Sequence, residues 1–247
     1  MNSLVSLLKS DSTQTQNLCP IHLEPMLSLA NHLVCNICAK EHFEKSQKAH
    51  HAEVQQNLMQ KRIKNSGLPE RHLQCGFKNY VCDHLAQVEA LEKCQNFAHQ
   101  IMNGKTPNLI MYGYCGTGKT HLSASILRNI LHKSVLSARY YTSAQIAQKL
   151  MDTWSDTTKS EDEVIQQLTS FELLVIDEYG LHDRHEKRQE MIHKVLYSRY
   201  DRLKSSLIIS NFDLKTLQKD LGVRLWSRLH ENELFLVPCY WNDQRLA

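Results

Sequence analysis

The stretch Gly113-Tyr114-Cys115-Gly116-Thr117-Gly118-Lys119-Thr120 fits the pattern G-x-x-x-x-G-K-[ST]. Such a loop works between a buried strand and the start of a helix. Its glycines let backbone N–H groups approach phosphate oxygens without a Cβ in the way. The helix N-terminus brings its positive dipole end to the same spot. Both flanks are present: Leu109–Tyr112 is apolar and reads as a buried strand, and His121–Leu127 follows with helical spacing. The pattern predicts that Gly113, Gly116, Thr117 and Gly118 cradle phosphate, that Lys119 reaches the β/γ-phosphates, and that the Thr120 hydroxyl ligates Mg²⁺.

A second motif lies downstream. Phe171–Ile176 is an apolar strand that ends in Asp177 and Glu178. Asp177 is placed to hold Mg²⁺ through its water shell, and Glu178 to polarise a water for in-line attack. A small-molecule kinase draws its nucleophile from the substrate and has no use for the second carboxylate. The pair therefore favours nucleotide hydrolysis.

The length of 247 residues suits one α/β domain with a small appendage. A net charge of +3 implies no global basic field, so any nucleic-acid contact must come from local patches. No apolar run approaches the ~20 residues of a membrane span, and residues 1–9 do not make a convincing signal peptide. The expectation is a soluble, cytoplasmic protein with no membrane partner. Cys75, Cys82, Cys94, Cys115 and Cys239 are scattered and form no disulfide framework.

The other three of the eight cysteines cluster at Cys19-Pro20-Ile21-His22 and Cys35-Asn36-Ile37-Cys38. Two C-x-x-[CH] knuckles at this separation match a tetrahedral zinc site. Four protein ligands leave no open position, so the metal would be structural, replacing a core that residues 18–38 are too few to build. His32 and His42 are alternative ligands.

Along the chain, residues 1–17 read as polar and loosely ordered, and 41–64 as a polar helix. Ser66-Gly67-Leu68-Pro69 breaks that helix and sets the expected boundary between modules 1–65 and 66–247. A helix over about 83–103 should bury Leu85, Val88, Leu91, Ala98 and Ile101. Further strands are expected at 135–141, 206–211 and 233–237, and a long helix near 184–203. Ser143, Ser160 and Asp213 are the candidate helix caps. Strands alternating with helices imply a parallel sheet covered on both faces.

Three segments together carry a family resemblance: Gly116–Leu122, Leu174–Glu178 and Ile208–Asn211. They are similar to the AAA+ ATPases that load replicative helicases, of the bacterial DnaC/DnaI group, and Ser66–Tyr80 resembles that group's lead-in segment. The resemblance spans roughly residues 65–245 and adds His121 and Arg245 to the expected nucleotide contacts. It implies that Asn211 senses the γ-phosphate, and that Arg228, or secondarily Arg224, is an arginine finger acting in a neighbouring subunit. Spacing alone supports only a basic helix with two solvated arginines. The context Trp241-Asn242-Asp243-Gln244-Arg245 departs from the group's usual Ser-Tyr-Arg.

The resemblance also implies ATP as ligand, self-association in the ATP-bound state, a hexameric replicative helicase as partner, and contact with single-stranded DNA. Lys149, Lys159, Arg184, Lys187, Arg188, Arg199, Arg202 and Lys204 are the candidate DNA-contacting cations, although a solvated helix face explains most of them equally well. Two other functions fit parts of the chain: a transposition helper ATPase of the IstB type, and a non-catalytic zinc adaptor.

Overall fold

A computed structural model describes residues 13–29, 32–155, 158, 160–181 and 186–244. The chain divides into two compact units, one up to Leu58 and one from Met59 onward.

In the first unit β1 (Thr13–Leu18), β2 (Pro25–Leu29) and β3 (His32–Val34) form an antiparallel sheet in that order. Thr13 pairs with Ser28, and Leu27 with Val34. This corrects the expectation that residues up to 17 are loosely ordered: from Thr13 onward they form a strand. The polar run Thr-Gln-Thr-Gln-Asn carries no apolar alternation to announce it. Helix α1 (Asn36–Lys64) starts directly behind Cys35 and is polar almost all round.

The last residues of α1 belong to the second unit, where Ile63 is buried in the core. The Arg62 guanidinium donates to the carbonyls of Leu131 (2.7 Å), Ser134 (2.8 Å) and Leu136 (2.6 Å). The helix stops at Lys64, ahead of the Ser66–Pro69 breaker.

After two short 3₁₀ turns, Glu70–His72 and Phe77–Asn79, come α2 (Leu85–Met102), β4 (Asn108–Gly113), α3 (Lys119–Lys133), β5 (Ala138–Thr142), α4 (Ser143–Asp152) and α5 (Glu161–Ser170). The chain continues through β6 (Leu173–Tyr179), α6 (Glu186–Asp201), β7 (Ser205–Ser210), α7 (Leu214–Glu231) and β8 (Leu234–Cys239). The five strands pair in the order β5-β6-β7-β4-β8, all parallel. β4 and β7 are buried along their whole length, which is why they read as unbroken apolar runs. One core lies beneath α2 and α3, with Phe97, Leu109, Ile126 and Leu207; another lies under α4–α7, with Ile110, Ile146, Leu174, Val195 and Leu225.

Several local expectations change. Leu85 is 82% exposed and Val88 is exposed, whereas Ala90, Cys94 and Phe97 face inward with Ala98 and Ile101. The buried stripe is set one step around the helix from the expected one. Thr142, not Ser143, caps α4: its hydroxyl accepts from the Gln145 amide (3.2 Å), and Gln145 Oε1 accepts from the Thr142 amide (2.9 Å). Ser143 is buried and donates to the Glu178 carbonyl instead (3.1 Å). Ser160 and Asp213 cap α5 and α7 as expected. α7 breaks at Gly222, whose φ of 73° is left-handed.

Candidate nucleotide site and metal cluster

β4, β6 and β7 deliver their C-terminal ends to one edge of the sheet, where the chain order reverses between neighbouring strands. Open α/β sheets bind ligands at such an edge. A cavity of about 400 Å³ opens there, lined by Gly116–His121, Asp177, Glu178, Ser210 and Asn211. Residues expected to act together from three separate stretches of sequence thus face one space.

At the mouth of β4, Gly113 has φ 124°, and a Cβ on it would stand 2.4 Å from the Cys239 carbonyl oxygen of β8. Only glycine fits where the loop turns off the sheet. Lys119 is buried and points back along the loop. Its ammonium donates to the carbonyls of Gly113 (3.1 Å) and Tyr114 and lies 3.5 Å from Thr117 Oγ1. His121 Nε2 lies 3.3 Å from the Gly76 carbonyl and 3.2 Å from Asn79 Oδ1. Both neighbours are acceptors, so Nε2 carries the proton and ties α3 to the lead-in segment.

Asp177 is buried and fully engaged. Oδ2 accepts from Thr120 Oγ1 (2.9 Å) and the Tyr140 hydroxyl (2.7 Å), and Oδ1 accepts from the Glu178 amide (2.7 Å). Burial, with the negative charge of Asp177 beside it, raises the Tyr140 phenol above its usual range, so it stays a donor. The hydroxyl and carboxylate form an all-oxygen pair of the kind a hard divalent cation takes, so the residues fit Mg²⁺. Glu178 has φ 58°, and the β6–β7 register shifts between Ile176 and Tyr179. A bulge that re-aims a side chain, with a non-glycine residue in the left-handed region, is strain of the sort concentrated at functional sites. Here it turns Glu178 out of the strand and exposes it to the cavity while Asp177 stays buried. Asn211 is exposed just beyond β7 and lines the same cavity.

Sequence reasoning missed several groups. Arg71 and His72, from the first 3₁₀ turn, line the cavity, as do Tyr140 and Gln244. The Trp241 indole donates to the Thr117 carbonyl (2.8 Å) and the Gln244 amide to the Gly116 carbonyl (2.9 Å). A Cβ on Gly116 would meet the Asp243 carboxyl carbon at 1.9 Å. The segment following β8 therefore straps the loop. Arg245 lies outside the described residues.

Arg228 does not line the cavity. Its guanidinium stacks over Tyr197 and Tyr200 of α6, 4.9 Å from each ring, and lies 3.8 Å from Asp201. Arg224 is exposed. Among the candidate DNA contacts, Arg199 is ruled out because it is wholly buried. It donates to Ser206 Oγ (3.1 Å) and to the carbonyls of Leu168 (2.7 Å), Glu172 (3.4 Å) and Ser205. It braces α5 and α6 against β7. Lys204 pairs with Glu172 (3.2 Å), Lys149 sits over the Tyr141 ring, and Arg202 donates to Thr169. Lys159 and Arg184 lie outside the described residues.

In the first unit, Cys19, His22, Cys35 and Cys38 bring their ligand atoms within 4.8 Å of one another. Cys19 Sγ and Cys38 Sγ are 3.7 Å apart, and His22 Nδ1 lies 3.8, 3.7 and 3.3 Å from the sulfurs of Cys19, Cys35 and Cys38. Zinc–sulfur bonds of about 2.3 Å in a tetrahedron give S···S edges of about 3.8 Å, so the four residues fit zinc. His22 Nε2 faces Glu41 at 3.4 Å, the outer carboxylate that commonly orients a ligating histidine. Backbone N–H groups of His22 and Ile21 draw the Cys19 thiol down to about 6, while burial lifts Cys38 to about 11.

These features define an ATP-binding P-loop protein of the AAA+ class. The chain belongs to the family of IstB-like ATP binding proteins, whose family model matches residues 38–224. It is 28% identical to the replicative helicase loader DnaC of Escherichia coli (strain K12) over 232 residues, covering 93% of this chain and 92% of that protein. It is 30% identical to DnaC of Buchnera aphidicola subsp. Acyrthosiphon pisum over 190 residues, covering 76% of each. Among solved structures, the DnaC helicase loader aligns with a TM-score of 0.60 at 23% identity, covering 68% of this chain and 99% of that one. AMPPCP-bound DnaA from Aquifex aeolicus aligns with a TM-score of 0.56 at 22% identity, covering 72% of this chain and 53% of that one. These two likenesses concern the fold.

Proposed function

We propose that this protein is an ATP-dependent loader that binds a replicative helicase hexamer and delivers it to single-stranded DNA, with ATP binding and hydrolysis as the switch. The carrying observation is the near full-length similarity to a replicative helicase loader, and the cavity at the sheet edge supports the chemistry. Gly113–Thr120 hold the phosphates, Lys119 leaves its carbonyl partners for the β/γ-phosphates, and Asn211 and Glu178 orient and activate the attacking water. Thr120 and Asp177 would hold Mg²⁺, which when bound neutralises charge on the phosphates. Arg228 completes a neighbouring subunit's site, which ties hydrolysis to self-association. The four-ligand cluster holds structural zinc in a module that contacts the helicase.

The test is a loading assay with the replicative helicase purified from the same host and a circular single-stranded template. The loader should convert free helicase into DNA-bound, unwinding helicase only when ATP is present. A second reading has its own support: the matching family model describes IstB-like proteins, which favours a transposition helper. That model begins at residue 38, so Cys19, His22 and Cys35 fall outside it. Absence of helicase loading together with ATP-dependent recruitment of a transposase would establish that reading. An intact zinc module with no ATP turnover under any condition would establish the adaptor.

A further inference from the structure

We infer that Tyr140 is a positioning residue for the metal-side carboxylate: its hydroxyl fixes Asp177 in the orientation that receives the magnesium–nucleotide. The inference rests on the nucleotide-hydrolysing reading above and adds a residue that neither motif contains.

Tyr140 sits on β5 in register with Val175 of β6, two residues before Asp177. Residues two apart on a strand share a face, so the phenol rises on the face that carries the Asp177 carboxylate. Its oxygen reaches Asp177 Oδ2 at 2.7 Å, closer than the Thr120 hydroxyl at 2.9 Å. The terminal torsion of an aspartate is broad and roughly two-fold. Its direction is therefore set by hydrogen-bond donors, and among the described residues Asp177 has three. The Glu178 amide is fixed by the bulge. The Thr120 hydroxyl is itself assigned to the cation. Tyr140 is the donor that is neither a neighbour in sequence nor part of the phosphate loop.

Tyr140 is in turn held from behind. It is buried, and its amide donates to the Ser66 carbonyl at 2.8 Å. A Cβ on Gly67, where φ is 83°, would stand 2.5 Å from the Tyr140 carbonyl oxygen, so the turn presses directly on this strand. The Arg139 side chain donates to the Asn65 carbonyl. The Asn65–Gly67 turn thus fixes the backbone that carries the phenol.

Tyr140→Phe removes one oxygen and keeps the ring. The test is fluorescent-ATP binding to the full chain, titrated with Mg²⁺ and repeated in excess chelator. The expected result is that the Mg²⁺ concentration at half-maximal binding rises about tenfold, the low end for losing an outer partner of a metal-side group. Metal-free nucleotide affinity should stay unchanged. In an Asp177→Asn background the same substitution should have no further effect, because Tyr140 acts through that carboxylate. An unchanged Mg²⁺ half-point in Tyr140→Phe, or equal losses with and without Mg²⁺, overturns the inference while leaving the nucleotide reading intact. Wild-type protein whose nucleotide binding ignores Mg²⁺ overturns both. A Tyr140→Trp variant, which keeps a donor but moves it, should raise the half-point too if Tyr140→Phe proves too unstable to measure.

Discussion

In the second unit Phe97, Leu109, Ile126, Ile146, Leu174 and Leu207 are all wholly buried, spread over two cores on either side of a five-stranded sheet. In the first unit the buried apolar residues among those described are Cys19 and Cys35, both members of the four-ligand cluster, while Ile21, Leu23, Leu33 and Phe43 are exposed. One unit excludes water from a large apolar interior. Among its described residues, the other has almost no interior apart from its ligand set. A metal contributes folding free energy where a core cannot, so stability in the two units should answer to different perturbations.

The largest effect tests that contrast directly. Zinc ligation is worth about 10–16 kcal/mol in zinc-finger peptides, comparable to the whole stability of a domain. Chelation, or Cys35→Ser, should abolish hydrogen-exchange protection over 18–35 while the second unit's melting temperature and nucleotide binding hold. Elemental analysis should give one zinc per chain. Metal-free protein with full protection in that region would break the comparison.

The next effects belong to the second unit and should leave the first untouched. Arg228→Ala should bind ATP normally, since the guanidinium lies outside its own chain's cavity, yet lose stimulated turnover on the scale of an arginine finger, roughly 10³–10⁵. Mixing Arg228→Ala with Lys119→Ala should restore part of the rate, because one supplies an intact cavity and the other an intact finger. Full turnover by Arg228→Ala and loss by Arg224→Ala would move the role to the exposed arginine. Glu178→Gln should retain nucleotide and zinc and slow turnover about 100-fold, the scale for a positioned base. An unchanged rate would remove Glu178 from the chemistry.

What the sequence reveals and what it hides follow from the same physics. The phosphate loop, the Asp177–Glu178 strand end and the four zinc-type ligands are legible because each is a local pattern of residue types with few other uses. The parallel sheet is legible because strands buried on both faces must be apolar throughout. Tyr140, Arg71, Gln244 and Glu41 are not legible. Each comes to its site through sheet register or the path of the chain rather than through a local pattern, and a tyrosine on a strand looks like any core residue. Arg199 misled for a related reason. A basic residue on an amphipathic helix reads as solvated, yet here three carbonyls and a serine hydroxyl replace its water. The contrast between units is half legible: the knuckles announce a metal, but the strand that precedes them, Thr13–Leu18, carries no apolar alternation.

The smallest predicted effect concerns acid. Glu172, one residue ahead of β6, accepts from the Ser137 amide (3.0 Å) and hydroxyl and pairs with Lys204 (3.2 Å). Burial works against its charge, but these donors prevail and hold the carboxyl at about 2, below its ordinary 4.5. A depressed carboxylate contributes stability that is full above 4.5 and lost as pH falls toward 2. The side chain is 34% exposed, so solvent screening keeps the gain to about 1 kcal/mol or less. Glu172→Gln should therefore lower the second unit's melting temperature slightly at neutral pH and flatten its decline between pH 4.5 and 2. The first unit should give way at higher pH than either, since protons compete with zinc for the cysteine and histidine ligands. Two acid transitions, with only the lower one altered by Glu172→Gln, would sharpen the contrast between a metal-held and a core-held unit. A single shared transition would mean the two units stand or fall together.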